Sequence, residues 1–95
     1  MDSRERARLI GDLRAEAIRS LTEALKMSRL WTQRRDHLKR QFGDTHELFI
    51  AKRDDLRLKE FMAGYVWHRD NSSWANQMIK MLQETTVIDN VPAQR

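Results

Sequence analysis

The chain has no cysteine, a single proline, three glycines and few aromatic residues (7%) among its 95 residues. Without cysteine there is no disulfide, no thiolate nucleophile, no iron–sulfur cluster and none of the cysteine-based zinc sites. A chain without cysteine is also typical of a reducing compartment. Because glycine and proline are the residues that most disrupt helices, their scarcity favours long helices over an all-β fold.

Long apolar runs are missing as well. No stretch approaches the ~20 consecutive apolar residues that a membrane-spanning helix requires. The first six residues alternate in charge and lack the apolar core of a secretory signal. We therefore expect no membrane association and a cytoplasmic location. The short, arginine-rich, motif-free chain is also similar in character to many small phage-encoded proteins, for which a place within a virion or its assembly is the equivalent expectation.

Motifs for catalysis are absent. The sequence has no Gly-x-Ser-x-Gly elbow, no His-x-x-x-His pair and no glycine-rich phosphate loop. The adjacent carboxylates Asp54 and Asp55 would point about 100° apart on a helix and could not share one substrate. Since no set of residues meets the geometric requirement for catalysis, we predict that the protein is not an enzyme and has no cofactor, no metal site and no small-molecule substrate.

The first forty residues carry a strong helical pattern. Apolar residues recur at strict seven-residue intervals, as on one face of a helix that packs along a partner in a coiled-coil arrangement. We predict a helix over about residues 3–42, roughly 60 Å long at 1.5 Å per residue. The residues of this repeat are Ile10, Ala17, Ala24, Trp31 and Leu38.

A turn is predicted at Gly43 and Asp44. Glycine favours the conformation that ends a helix, and Asp44 with Glu47 three residues later matches a capping box that starts the next one. We predict a second helix over about residues 45–67, antiparallel to the first. With the reversal at this turn, residue i of the first helix should lie opposite residue 87 − i. The predicted pairs are Leu38 with Phe49, Trp31 with Leu56, and Ala24 with Ala63.

The polar segment at residues 68–73 is rich in residues that cap helices, which predicts a break followed by a third helix over about residues 73–84. Residues 85–95 are predicted to form an extended tail. The predicted fold is therefore a single all-α domain spanning 1–95. It is an antiparallel helical hairpin with a long first helix, a short third helix and an extended C-terminal tail.

The second predicted helix has a further apolar side. From Phe61 to Trp67 it carries no charged residue on any face, so it needs cover on all sides. Either the core of the monomer or an interface, where Tyr, Trp and Met are enriched, could supply that cover. Our leading hypothesis is a non-catalytic protein–protein interaction or assembly module that forms a homo-oligomer or docks on a larger complex. The candidate interface residues are Leu58, Phe61, Met62, Tyr65, Trp67, Trp74, Met78 and Met81.

The charge pattern suggests an alternative. The chain has 18 Lys and Arg against 14 Asp and Glu, a net charge of +4. Closing the hairpin would gather basic residues near the turn, where they could contact the phosphates of a nucleic acid or an acidic protein partner. Interleaved acidic residues such as Asp36 and Asp54 weigh against it. The candidate contacts are Arg34, Arg35, Lys39, Arg40, Lys52, Arg53 and Arg57.

A third hypothesis is a small inhibitor or antitoxin-like protein that covers a target's active site. The sequence does not separate it from the first hypothesis, because both require an apolar anchor surrounded by a charged rim.

Overall fold

The computed structural model describes residues 1–85, which form three α-helices and no strand. Helix α1 spans Ser3–Phe42, α2 spans His46–Asp54 and α3 spans Leu56–Glu84. Helices α1 and α3 pack antiparallel along most of their length, and the short α2 lies at the turn between them. The predicted all-α class and the bounds of the long first helix are confirmed.

Both ends of α1 are fixed by local hydrogen bonds. At its start, the Oδ1 atom of Asp2 accepts a hydrogen bond from the backbone N–H of Glu5 at 2.7 Å, the usual role of an N-cap. At its end, Gly43 has φ 67° and its N–H donates to the carbonyl of Lys39 at 2.8 Å. Because side chains disfavour this conformation, the glycine is what allows the chain to leave the helix here, as predicted.

The N-cap of α2 is Thr45, so the prediction of Asp44 in this role is wrong. The Oγ1 atom of Thr45 accepts from the N–H of Leu48 at 3.4 Å and donates to the carbonyl of Phe42 at 2.8 Å. One hydroxyl thus provides a hydrogen-bond partner both for the carbonyl of Phe42 at the end of α1 and for the N–H of Leu48 at the start of α2. A carboxylate cannot donate, which is why threonine suits this position better. Asp44 instead forms an exposed ion pair with Lys39 at 3.8 Å.

The predicted boundaries of the second and third helices are also wrong. Instead of one helix over 45–67 and another over 73–84, the chain breaks at Asp55 and then stays helical through the polar residues 68–73. Asp55 starts α3 by accepting a hydrogen bond from the N–H of Leu58 at 2.9 Å. The predicted tail lies outside the described residues beyond Thr85.

A polar layer across the hairpin explains why residues 68–73 remain helical. The Nδ2 atom of Asn71 donates to Glu16 Oε2 at 2.7 Å and to Ser20 Oγ at 2.6 Å. The hydroxyl of Ser72 donates to the carbonyl of Ala17 at 3.0 Å. These side chains find partners on α1 and therefore do not compete for their own backbone, the mechanism by which such residues break helices.

The seam between α1 and α3 follows seven-residue repeats on both helices. On α1, all five residues of the predicted repeat are buried or half-buried, which confirms that part of the prediction. On α3, spacings of three and four residues alternate, as expected for helices that pack along each other. The α3 residues of the seam are Leu58, Phe61, Tyr65, His68, Ser72, Ala75, Ile79 and Leu82, all buried or half-buried.

The register of the hairpin differs from the predicted one. The numbers of contacting residues sum to 89 for Arg34 with Asp55 and to 91 for Arg6 with Thr85, although they sum to the predicted 87 for Asn71 with Glu16. The larger difference is that α3 packs against α1 through another side, the one that carries Leu58 and Tyr65. Consequently the predicted partners of α1 lie on the outer surface: Phe49 and Leu56 are 62% and 71% exposed, and Ala63 is exposed as well.

The described chain is a thin rod. Its principal extents are 77 × 16 × 15 Å, and its radius of gyration is 21.5 Å, whereas a globular domain of this length would have about 12 Å. Among residues 1–85 only six apolar residues are buried, and three of them are alanines. A hairpin of two long helices has one internal seam, so within residues 1–85 the side of α3 that faces away from α1 has no cover.

Candidate interaction surface

A second line of apolar residues runs along the outer side of α3. At 100° per residue, its members project within about 20° of one direction, roughly opposite to the seam with α1. The line extends over about 38 Å of helix. We call this surface the outer stripe; it consists of Leu56, Ala63, Trp67, Trp74 and Met81.

The side chains of the outer stripe are largely exposed. Leu56 is 71% exposed, Trp67 66%, Met81 59% and Trp74 51%. Single exposed apolar side chains are common on proteins, but several large ones along one side of a helix are more typical of an interaction site. A tryptophan at an interface supplies a large rigid surface with one hydrogen-bond donor, so two of them on one line make this surface the main candidate site.

Two shallow grooves border the outer stripe. One, of about 850 Å³, lies beside its first half. Its apolar lining comprises Trp31, Leu58, Met62, Ala63, Val66 and Trp67, and polar residues such as Lys52 and Asp70 complete it. The second, of about 480 Å³, lies between Leu9 and Leu13 of α1 and Trp74, Met78 and Met81 of α3.

The residues predicted from sequence to form an interface differ in how far the structure exposes them. Trp67, Trp74 and Met81 lie on the outer stripe, and Met78 lines the second groove. Leu58 is only 5% exposed because it packs in the seam against α1, so it is not available to a partner and its assignment to an interface is corrected.

Three further predicted interface residues lie elsewhere. Phe61 and Tyr65 are half-buried in the seam, and the guanidinium of Arg69 lies 5.6 Å from the ring centre of Tyr65. Met62 is 46% exposed beside the first groove. The sequence pattern predicts that Leu56 and Ala63 lie in the seam, whereas both lie on the outer stripe. They precede Trp67 by 11 and 4 residues, spacings that place side chains on the same side of a helix, and this signal could have identified their position.

A smaller apolar patch lies on α1. Ile18, Leu21 and Leu25 are 68%, 51% and 56% exposed and follow a spacing of three and four residues. The patch extends over only about 10 Å of helix and contains no aromatic side chain. It is therefore the weaker candidate and a useful control for the outer stripe.

Most of the predicted basic contacts are paired with neighbouring carboxylates. Arg34 binds Asp55 at 2.7 Å. The remaining pairs are Arg35 with Asp36 at 3.3 Å, Lys39 with Asp44 at 3.8 Å and Arg53 with Asp54 at 2.9 Å. Arg35 also lies over the ring of Trp31, 5.2 Å from its centre. These pairs offset much of the positive charge that a phosphate backbone would need.

Three of the predicted basic residues, Arg40, Lys52 and Arg57, form no ion pair with any described residue. They lie on three different helices, one on each. The structure therefore brings the predicted basic residues to one end of the rod but leaves few of them with an unbalanced charge.

Other classes of site find little support in residues 1–85. No group of three or more His, Asp or Glu side chains there is placed to hold a metal ion. None of the three helices is long and apolar enough to cross a membrane.

Comparisons with known proteins found no match for this chain. No protein-family model matches the chain, and no curated protein or solved structure is significantly similar to it.

Proposed function

We propose that the protein is a non-catalytic interaction module that takes its place in an assembly by binding another protein chain along the outer stripe of α3. One observation carries the proposal: α3 is apolar on two nearly opposite sides, and α1 covers only one of them. The apolar side of a helix is typically packed against another element, so a second chain on the outer stripe would cover the side that α1 leaves exposed.

The exposed area is large enough to support binding. Given their exposed fractions, the two tryptophans, Leu56 and Met81 present on the order of 500 Å² of apolar surface. At ~25 cal/mol per Å², burying it contributes roughly 12 kcal/mol before costs. Association costs about 4–15 kcal/mol in lost motion. The balance is compatible with a specific complex whose affinity depends on how well the partner fits.

The other hypotheses from sequence have weaker support. Binding of nucleic acid would rely on basic residues of which four already pair with carboxylates. An inhibitor or antitoxin-like role would use the same outer stripe against a target protein, and it stays a prediction within the broader proposal.

Site-specific photocrosslinking tests the proposal. A photoreactive phenylalanine analogue replaces Trp67 in one variant and Leu25, on the α1 patch, in a second, and each is expressed in the cells that naturally produce the protein. We expect crosslinked products at position 67 and few at position 25, which is similarly exposed. Equal yields at the two positions, or no product at position 67, would contradict the proposal. Circular dichroism of both purified variants checks that helicity is retained.

A further inference from the structure

We infer that the chain bound along the outer stripe is a second copy of this protein, with the two α3 helices packed antiparallel about a two-fold axis. The inference rests on the proposed function, since it uses the same surface, and it names the occupant. Its result is a layer of four helices in which the two α3 helices lie at the centre and the two α1 helices lie outside.

The first support is the symmetry of the outer stripe itself. Two copies that meet through the same surface must present self-complementary patterns on either side of the two-fold axis. Four of the five residues of the outer stripe are placed symmetrically about the midpoint between residues 68 and 69, and the counterpart of the fifth, Trp67, is Asp70 beside the stripe. An antiparallel pairing centred there puts each residue opposite its counterpart in the second copy. The equidistant pairs are Leu56 with Met81, Ala63 with Trp74, and Trp67 with Asp70.

The second support is that the paired residues differ in size or polarity in complementary ways. Trp74 of one copy would lie opposite Ala63 of the other, which is small and borders the 850 Å³ groove. The large ring therefore has space where it would enter. The indole N–H of Trp67, a donor with no acceptor capacity, would lie opposite the carboxylate of Asp70, which only accepts. Leu56 and Met81 would form apolar contacts at both ends.

The third support is the available area. Homodimer interfaces are about 65% apolar, and a standard interface buries about 800 Å² on each partner. The apolar area of the outer stripe, on the order of 500 Å², matches that requirement. The α1 patch, with three aliphatic residues over about 10 Å, does not reach it.

Sedimentation equilibrium of the purified full chain is the first test. We expect a mass of twice 11.4 kDa. The variant Trp74→Glu should dissociate with a dissociation constant about thirty-fold higher or more, as for an interface hot spot. Ile18→Glu, a matched control at 68% exposure on α1, should leave the dissociation constant unchanged. Circular dichroism should show that both variants retain their helices.

Crosslinking tests the antiparallel geometry. Because the natural chain has no cysteine, Lys59→Cys and Gln77→Cys can each be introduced alone, at exposed positions on the same flank of the outer stripe. When the two variants are mixed, a short bismaleimide should join position 59 of one copy to position 77 of the other. Neither variant alone should crosslink efficiently, since two copies of position 59 would lie about 28 Å apart along the helix.

The outcomes separate this inference from the proposed function. A chain that stays monomeric at high concentration overturns the inference, while products of other masses at position 67 in the photocrosslinking experiment would still support the proposed function. Efficient crosslinking of position 59 to itself shows a parallel pairing and also overturns the inference. A dimer that Trp74→Glu leaves intact but Ile18→Glu dissociates overturns the inference, because it would place the contact between the copies on α1.

Discussion

Arg34 on α1 and Asp55 at the start of α3 form the only ion pair between these two regions in the described chain. The Nη2 and Nε atoms of Arg34 donate to the carboxylate at 2.7 and 3.2 Å. The same carboxylate accepts from the backbone N–H of Leu58 at 2.9 Å. Asp55 therefore caps the start of α3 and also attaches it to α1. These two roles determine where the break between α2 and α3 lies.

Replacing Asp55 with alanine should destabilise the protein. The variant loses the N-cap of α3, an effect of about 1–2 kcal/mol, and leaves Arg34 without its partner. Urea unfolding at a fixed protein concentration measures the difference. The matched control is Asp54→Ala, because Asp54 also pairs with an arginine but is 59% exposed and caps no helix. A loss as large in the control would show that the capping role is not decisive.

The same carboxylate should make stability depend on pH. The hydrogen bond from Arg34 lowers the pKa of Asp55 below its ordinary value of 3.8, and the backbone N–H of Leu58 lowers it further. Because this pKa is lower in the folded than in the unfolded state, the stabilisation is fully present above about pH 4. It is lost as the pH falls through the lowered pKa. Thermal unfolding should be measured between about pH 2 and 6, a range that brackets the pKa of a carboxyl group. As the pH falls, the melting temperature should decrease less in Asp55→Asn than in the natural protein.

The polar layer should show coupling between Ser20 and Asn71. Ser20 is 3% exposed and accepts from Asn71 at 2.6 Å, so each alanine substitution should leave the other side chain with fewer partners. A double-mutant cycle by urea unfolding should give a coupling free energy of about 0.5–1.5 kcal/mol. A second cycle, of Ser20→Ala with Thr45→Ala, joins distant sites and should give nearly additive effects. Additivity in the first cycle would argue against the hydrogen bond.

Substitutions of glycine should separate by location. Gly11 lies inside α1, and apart from its chain neighbours and the nearby backbone of the helix no atom lies within 4 Å of the place that an added Cβ would take, so Gly11→Ala should stabilise the protein by about 0.5–1 kcal/mol. Gly64→Ala should gain less, because its Cβ would lie 3.2 Å from Cγ and Sδ of Met27. Gly43→Ala should destabilise by roughly 1–2 kcal/mol, owing to its φ of 67°. Melting temperatures that rank the three variants otherwise would contradict these packing arguments.

Binding to nucleic acid should be weak and only slightly dependent on salt. Replacing Arg40, Lys52 and Arg57, which form no ion pair with any described residue, with glutamine should leave the slope of log affinity against log salt nearly unchanged, whereas contact of all three with phosphates would make it change by about three. Fluorescence anisotropy with random duplex and single-stranded DNA measures it. A steep slope in the natural protein that these substitutions flatten would instead favour the nucleic-acid hypothesis.

The sequence predicts the parts of the fold that depend on local chemistry. The seven-residue repeat of α1 and the glycine at position 43 are sufficient to predict the first helix and the turn. A second seven-residue repeat, Phe49, Leu56 and Ala63, predicts a seam on that side of the following helix. In the structure, α3 packs against α1 through its other apolar side. Two apolar faces on one helix are equivalent in a pattern, and only packing decides which one α1 covers.

The break at Asp55 illustrates a second limit of the sequence. Asp55 has no glycine or proline beside it, so its backbone gives no strong signal of a boundary. Its role depends on Arg34, 21 residues earlier, which becomes a neighbour only after the hairpin closes. Conversely, residues 68–73 resemble a break until Asn71 and Ser72 find partners on α1. The tryptophans of the candidate site can be identified from residue type alone.

The hydrogen bond from Nη1 of Arg6 to the carbonyl of Thr85, at 2.9 Å, has a mechanical consequence. It holds the first turns of α1 beside the last turn of α3. A linker attached near Arg6 and one attached near Thr85 would therefore both leave the rod at the same end. The bend at Gly43 then stands about 55 Å away. In an antiparallel pair the two turns would lie at opposite ends of the dimer. The dimer would therefore be a long rigid body that presents the same surface at each end.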